Sequence, residues 1–353
     1  MGSGRDHQIK HSSFLNFFDK YRYYFSHNTQ KESLEKATIY AIFADQIQDV
    51  SKRSTNKTVG VGVLAALVAT IIWSGNYIVA RMLNDKVPPM TLSFWRWSVG
   101  LLFALPIVIK PLWSQRSLVL THWKFLTATA ISGITIFNTL LYLAGQTSSA
   151  LNLSLMSLTF PIFTIILARI FLNEKITFKK IVGVLIVLIG VLVLLSGGRL
   201  DTLFSLSFAI GDIWMILASL VFAIYSLLLK FKPDEMSGRT LLGATFLIGV
   251  LFLVPMYLWD LFFGHPAVYD QTAVLSIGYI GVFASLAAYF LWNYSVEVLG
   301  PSPASLIYYS IPLFSGLLAF VILDEQIGWI HLISGVFIVS GIVFATRSKN
   351  ENH

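Results

Sequence analysis

The chain of 353 residues contains no cysteine. That excludes disulfides, cysteine-ligated clusters and thiol nucleophiles. Charge is scarce as well. Asp, Glu, Lys and Arg make up 12% of the residues, against about 25% in an ordinary soluble domain, too few to coat a globule. Seven histidines are scattered, mostly in tails and loops, with no HExxH and no His-and-acid cluster suited to a metal. Alternating ten-residue segments of the outer-membrane barrel type are also missing. An enzyme is therefore not expected, and neither a cofactor nor a metal is called for.

What the sequence does have is apolar length. Hydrophobic residues make up 56% of the chain, gathered in blocks of roughly twenty, the length that crosses a bilayer core as helix. The blocks fall near 59–80, 90–109, 123–143, 149–172, 181–196, 208–229, 240–261, 273–296, 302–323 and 329–346. The expected fold class is an all-α membrane protein of about ten transmembrane helices.

The net charge of +7 suits a nucleic-acid binder in principle, but its placement argues for a bilayer instead. With a cytoplasmic N-terminus, fourteen basic residues from Lys52 to Lys349 fall on the inner side, and only Arg81, Lys86 and Arg199 on the outer side. This is a strong positive-inside bias. It predicts an even span number, both termini cytoplasmic, and a plasma membrane of the bacterial inner-membrane type.

Residues 1–57 are of different character, with no signal-peptide core. Phe14–Phe25 is dense in aromatics, Thr29 and Glu32 have capping-box spacing, and Ile39, Ile42, Phe43, Ile47 and Val50 recur at helical intervals. Two readings stand open: an amphipathic helix on the inner membrane surface or on a cytoplasmic partner, and a short cytoplasmic helical hairpin that packs on the membrane-embedded body, or a loosely ordered tail.

The second half echoes the first. "PIFTIILARIFLNEK" from Pro161 and "PLFSGLLAFVILDEQ" from Pro312 place Pro161 on Pro312 and Glu174 on Glu325 at an offset of 151 residues. The same offset places Ser154 on Ser305 and Gly190 on Gly341, and one residue more places Trp73–Ser74 on Tyr225–Ser226. Five spans per copy is an odd number, so the copies must be inverted, an architecture of secondary transporters with a midplane site. The expected division is 1–57, a first repeat over 58–200, a second over 201–347, and a tail over 348–353. Pro161 and Pro312 lack an N–H and crowd the preceding turn, so each predicts a mid-span kink that frees a carbonyl, at Ser157 and Tyr308.

The residues "WSGNYIVAR" (Trp73 to Arg81), "FWRWSVG" (Phe94 to Gly100) and the two proline-to-glutamate runs resemble the drug/metabolite transporter superfamily, in its EamA-like ten-span branch. The resemblance covers Val59 to Arg347. It implies two five-helix halves and movement of a small metabolite, amino acids being the first expectation, by alternating access as an exporter or facilitated exchanger.

Candidate substrate-binding residues are Trp73, Asn76, Tyr77, Arg96, Asn138, Tyr142, Ser157, Tyr289, Trp292, Asn293 and Tyr308. Arg96 is a charge inside a span, which suits a substrate carboxylate, snorkelling to the interface, or a clamp on helix-end carbonyls. The aromatic and amide residues suit stacking on and hydrogen bonding to a solute, or interfacial anchoring and interhelical bonds. Expected partners are the small-molecule substrate and the lipid bilayer, with no nucleic acid. A membrane anchor or receptor, whose N-terminal segment binds a cytoplasmic partner, is the alternative function.

Overall fold

A backbone in hydrocarbon must satisfy its own polar groups, and a helix does so within one segment. The computed structural model describes residues 58–76, 78–80, 82–148, 150–198, 209–323 and 328–346, and the regular elements among them are helices. The N-terminal aromatic stretch and capping-box sequence, together with Tyr77, Arg81, Arg199 and Glu325, lie outside the described residues.

The helices of eight residues or more are α1 (Thr58–Ala80), α2 (Pro89–Ser114), α3 (Trp123–Thr147), α4 (Ala150–Ser157), α5 (Thr159–Phe171) and α6 (Phe178–Leu195). They continue with α7 (Ile210–Phe231), α8 (Gly238–Phe263), α9 (Gln271–Leu299), α10 (Pro301–Tyr308), α11 (Ile311–Leu323) and α12 (Trp329–Thr346). Seven of these, α1, α2, α3, α7, α8, α9 and α12, are long and apolar enough to cross a membrane. The molecule is a multi-pass helical membrane protein.

The blocks expected at 149–172 and 302–323 are each interrupted. α4 gives way to α5 at Leu158, and α10 to α11 at Tyr309 and Ser310, about one turn before Pro161 and Pro312. At the first break the Thr159 hydroxyl donates to the Met156 carbonyl (2.6 Å), and at the second the Ser310 hydroxyl donates to the Ile307 carbonyl (2.7 Å). Thr159 and Ser310 are 151 residues apart, as are Met156 and Ile307. A hydroxyl that reaches back one turn satisfies acceptors that a bent helix exposes.

Two long helices carry another irregularity. α3 contains a π-helical segment at Ile131–Ile136, and α9 one at Ile280–Ala287. A π turn inserts one extra residue per turn and redirects a carbonyl away from the regular ladder.

Helices pack in antiparallel pairs. On α6 and α12, a Cβ at Gly183 would lie 2.7 Å from the Gly341 carbonyl oxygen, and a Cβ at Gly341 2.7 Å from that of Gly183. Gly190 meets Phe337 further along. Gly183, Gly190 and Gly197 stand seven residues apart along α6 and its end, and the first two serve internal packing. Gly197 does a different job: at φ 59° it ends α6, and the following Gly198 N–H reaches the Val193 carbonyl (3.2 Å), a left-handed helix stop.

On α2 and α8, Gly243 meets Val108. The Asp260 carboxylate accepts from the Thr91 backbone N–H (2.8 Å) at one end, and Gln115 bonds the Glu235 carbonyl (2.7 Å) at the other. α1 runs against α9 and α3 against α7 in the same antiparallel sense: Gly62 meets Val298, Gly75 meets Tyr279, Gly133 meets Tyr225 and Gly211 meets Ala144. Between these pairs lies a core of large aromatics.

Candidate functional site

Arg96 projects from α2 into that core and is 1% exposed. Snorkelling to an interface is therefore not what it does. Its Nε donates to Ser285 Oγ (2.7 Å), its Nη1 to Asn76 Oδ1 (3.0 Å) and to Tyr142 OH (2.9 Å), and its Nη2 to the Ala284 carbonyl (3.1 Å). Tyr142 OH also donates to Asn76 Oδ1 (3.1 Å). The guanidinium lies 5.5 Å from the Trp97 ring centre, in range for a cation–π contact. Among the described residues Arg96 makes no ion pair.

The π segment of α9 supplies two of these contacts. It presents the Ala284 carbonyl and the Ser285 hydroxyl to α2, and the same carbonyl accepts from Trp73 Nε1 (2.8 Å) on α1. The counterpart on α3 presents the Gly133 carbonyl, which accepts from Tyr289 OH (2.6 Å) and Asn138 Nδ2 (3.3 Å). Asn138 Nδ2 also reaches Tyr289 OH (3.2 Å), while Asn138 Oδ1 is buried and has no hydrogen-bond partner among the described residues.

Beside Arg96 lies a small cavity of about 10 Å³ among buried residues, lined by Trp73, Asn76, Arg96, Phe137, Leu141 and Tyr308. That is room for a single water at most. Its walls continue into a continuous aromatic cluster. Trp73 lies 5.6 Å from Tyr289, 5.4 Å from Trp292 and 5.5 Å from Phe222 between ring centres. Phe137 stacks on Phe222 at 4.4 Å, and Phe160 meets Tyr308 at 4.7 Å.

Most residues singled out from sequence meet here. Trp73, Asn76, Arg96 and Tyr308 line the cavity; Tyr142, Asn138, Tyr289 and Trp292 stand directly behind it, with Trp292 Nε1 bonded to Ser226 Oγ (3.2 Å). Asn293 is half-buried and accepts from Tyr225 OH (2.6 Å), one layer away. Ser157 is buried at the end of α4, and Tyr77 is outside the described residues. Sequence reading missed Phe137, Leu141, Phe222, Ser285 and the Ala284 carbonyl. The repeat had already placed Tyr225 on Trp73, and that was a signal for the layer in which Asn293 sits.

A second buried charge sits elsewhere. Asp212, in the first turn of α7, accepts from Ser148 Oγ, from Asn152 Nδ2 (3.0 Å) and from the Ala209 backbone N–H (2.8 Å). It ties the α3–α4 connection to a helix N-terminus, where negative charge is favoured.

The sequence matches the model of the EamA-like transporter family twice, over residues 60–196 and 209–347. It is 25% identical over 291 residues to an uncharacterized transporter of Archaeoglobus fulgidus, covering 82% of this chain and 98% of that one. It is 25% identical over 285 residues to a probable terminal-alkyne amino-acid exporter of Streptantibioticus cattleyicolor, covering 80% and 92%. One solved crystal structure shares the fold at a TM-score of 0.61 and 17% identity, covering 80% of this chain and 96% of that chain. The chain belongs to the EamA-like transporter family and is a membrane transport protein.

Proposed function

We propose that the protein is a secondary transporter that moves a small metabolite, an amino acid or similar amphipathic solute, across the plasma membrane by alternating access, as an exporter or facilitated exchanger. In this reading ten spans form two inverted five-helix halves (58–200 and 201–347) with both termini cytoplasmic. Supporting it are the 151-residue repeat, the π segments and helix breaks that recur at that interval, and the antiparallel pairing of α2 with α8 and α6 with α12. The exporter named among the relatives supports the amino-acid class.

The observation that carries the proposal is the small cavity among buried residues, whose walls come from α1, α2 and α3 in one half and from Tyr308 in the other. A transporter that alternates between two open faces passes through a state sealed at both, with its site collapsed or filled between the halves. The substrate-binding set is Trp73, Asn76, Tyr77, Arg96, Asn138, Tyr142, Ser157, Tyr289, Trp292, Asn293 and Tyr308, with Pro161 and Pro312 as the bending points. The test is counterflow of radiolabelled amino acids in proteoliposomes. Accumulation driven by preloaded unlabelled solute is expected, and its absence across the amino-acid set would refute the substrate class.

A further inference from the structure

We infer that the substrate bears a carboxylate and that Arg96 is the residue that selects it; this rests on the transport reading above and names its substrate class. The argument starts from charge balance. A guanidinium taken fully out of water loses several kcal/mol of solvation that neutral dipoles recover only in part. Arg96 is 1% exposed, and its surroundings offer two side-chain hydroxyls, one amide oxygen and one backbone carbonyl, all uncharged. Asp212 is held by three donors of its own and forms no ion pair with Arg96.

The donor count points the same way. A guanidinium has five N–H groups in a fixed plane. Four are aimed at protein acceptors, which hold the plane rigid, and Arg96 also lines the cavity. An anion entering there meets an orientated cation that pairs with no carboxylate among the described residues. Neutralisation in a low-dielectric site strengthens the contact relative to water. The opposite end of the solute meets Trp73, Phe137, Leu141 and Tyr308. These faces suit an apolar or aromatic side chain and provide no carboxylate to demand an ammonium. The selected feature is the acid, and the amine is optional.

Asn76 provides the sharpest test. Its Oδ1 is 3.0 Å from Arg96 Nη1, so Asn76→Asp installs a permanent counter-ion of nearly the same shape where the substrate's charge would act. Matched sets of an acid, its primary amide and its decarboxylated amine, with aliphatic and aromatic side chains, are tested on the purified full-length protein. Thermal stabilisation reads binding, and competition in proteoliposomes reads transport. At least one acid is expected to bind tenfold or more tightly than its own amide and amine. Asn76→Asp is expected to melt no lower than wild type and to weaken the acid at least tenfold without weakening the amine. Arg96→Gln should abolish the preference, and if it fails to fold the Asn76→Asp series decides. Equal binding of acid and amide, or unchanged acid affinity in a folded Asn76→Asp protein, overturns the inference. Flux that ignores the carboxylate overturns it alone, whereas absence of both binding and flux across every set overturns the transport reading as well.

Discussion

The Gly133 and Ala284 carbonyl oxygens are 151 residues apart, each lies in a π-helical segment, and each accepts side-chain donors that reach the central aromatic cluster. An α-helical carbonyl buried in this position would be occupied by the N–H four residues on. The wider turn presents it to neighbouring helices, so backbone irregularity becomes a bonding point between helices. The two sites are not equals. Gly133 takes a phenol and an amide, whereas Ala284 takes an indole and a guanidinium, so only one of the two places a charge beside the cavity.

The Trp73 indole therefore has two separable roles. Trp73→Phe keeps a ring against Trp292 and Tyr289 but removes the donor to Ala284. It should lower stability by about 1 kcal/mol, the ordinary net worth of such a bond. Trp73→Ala also opens a cavity and should cost about 3–5 kcal/mol. Melting in detergent separates the two, and equal losses would show that the hydrogen bond has no separate weight.

The seam between α6 and α12 makes a steric prediction. At Gly183 and Gly341 a methyl group would stand 2.7 Å from a backbone oxygen, which cannot swing aside. Gly183→Ala and Gly341→Ala should each cost about 1–3 kcal/mol through overpacking. Gly60 has no atom within 4 Å of such a methyl, so Gly60→Ala should be neutral or mildly stabilising. Melting temperature and the monodisperse fraction after extraction check this, and a tolerated Gly341→Ala would mean the seam is looser than described.

Much of this site was legible because a polar or aromatic residue stands out in an apolar span. Arg96, Asn76, Asn138 and Trp73 were visible for that reason, and the structure brings them together. The π segments were not legible. "ISGITI" and "IGVFASLA" are apolar text equally compatible with an α-helix, and the extra residue in the turn shows only when the neighbouring helices demand it. Ser285 and the Ala284 carbonyl were hidden with them. The prolines announced a bend, but the breaks fall at Leu158 and Tyr309–Ser310, one turn earlier, because a proline ring crowds the turn that precedes it. Phe137 and Phe222 were invisible among 27 phenylalanines, since nothing local separates a cavity wall from a lipid-facing ring.

A pH dependence arises at the connection between α8 and α9. The Asp270 carboxylate accepts from Lys86 Nζ (2.6 Å) and from the Ala273 backbone N–H (2.8 Å). The Lys86 bond first, and the Ala273 bond second, hold its acidity below the usual carboxylate range. A carboxyl whose folded pKa is depressed binds protons less readily folded than unfolded. Its stabilisation is thus complete above the ordinary value near 4 and fades as pH falls through the lower folded value. Asp270→Asn should melt below wild type at neutral pH, and the difference should shrink as pH falls below the ordinary carboxylate range. The pair is solvent-exposed, so salt should shrink it as well. A gap that stays constant across that range would show that ionisation of Asp270 has no part in the loss.

The paired breaks supply the last prediction. Pro161 and Pro312 are buried, each about one turn past a point where the helix stops and restarts. If those breaks are the bending points of an access cycle, straightening one should slow the cycle without unfolding the protein. Pro161→Ala restores the missing N–H and lets α4 and α5 join, and Pro312→Ala does the same for α10 and α11. Each variant should melt at or above the wild-type temperature while turnover falls several-fold, with little change in the concentration of solute that half-saturates transport. The double variant should be slower than either alone, because the two halves bend in one cycle. If the breaks only accommodate packing, both substitutions should lower melting temperature and leave turnover per folded molecule untouched. Counterflow rates normalised to folded protein distinguish these outcomes.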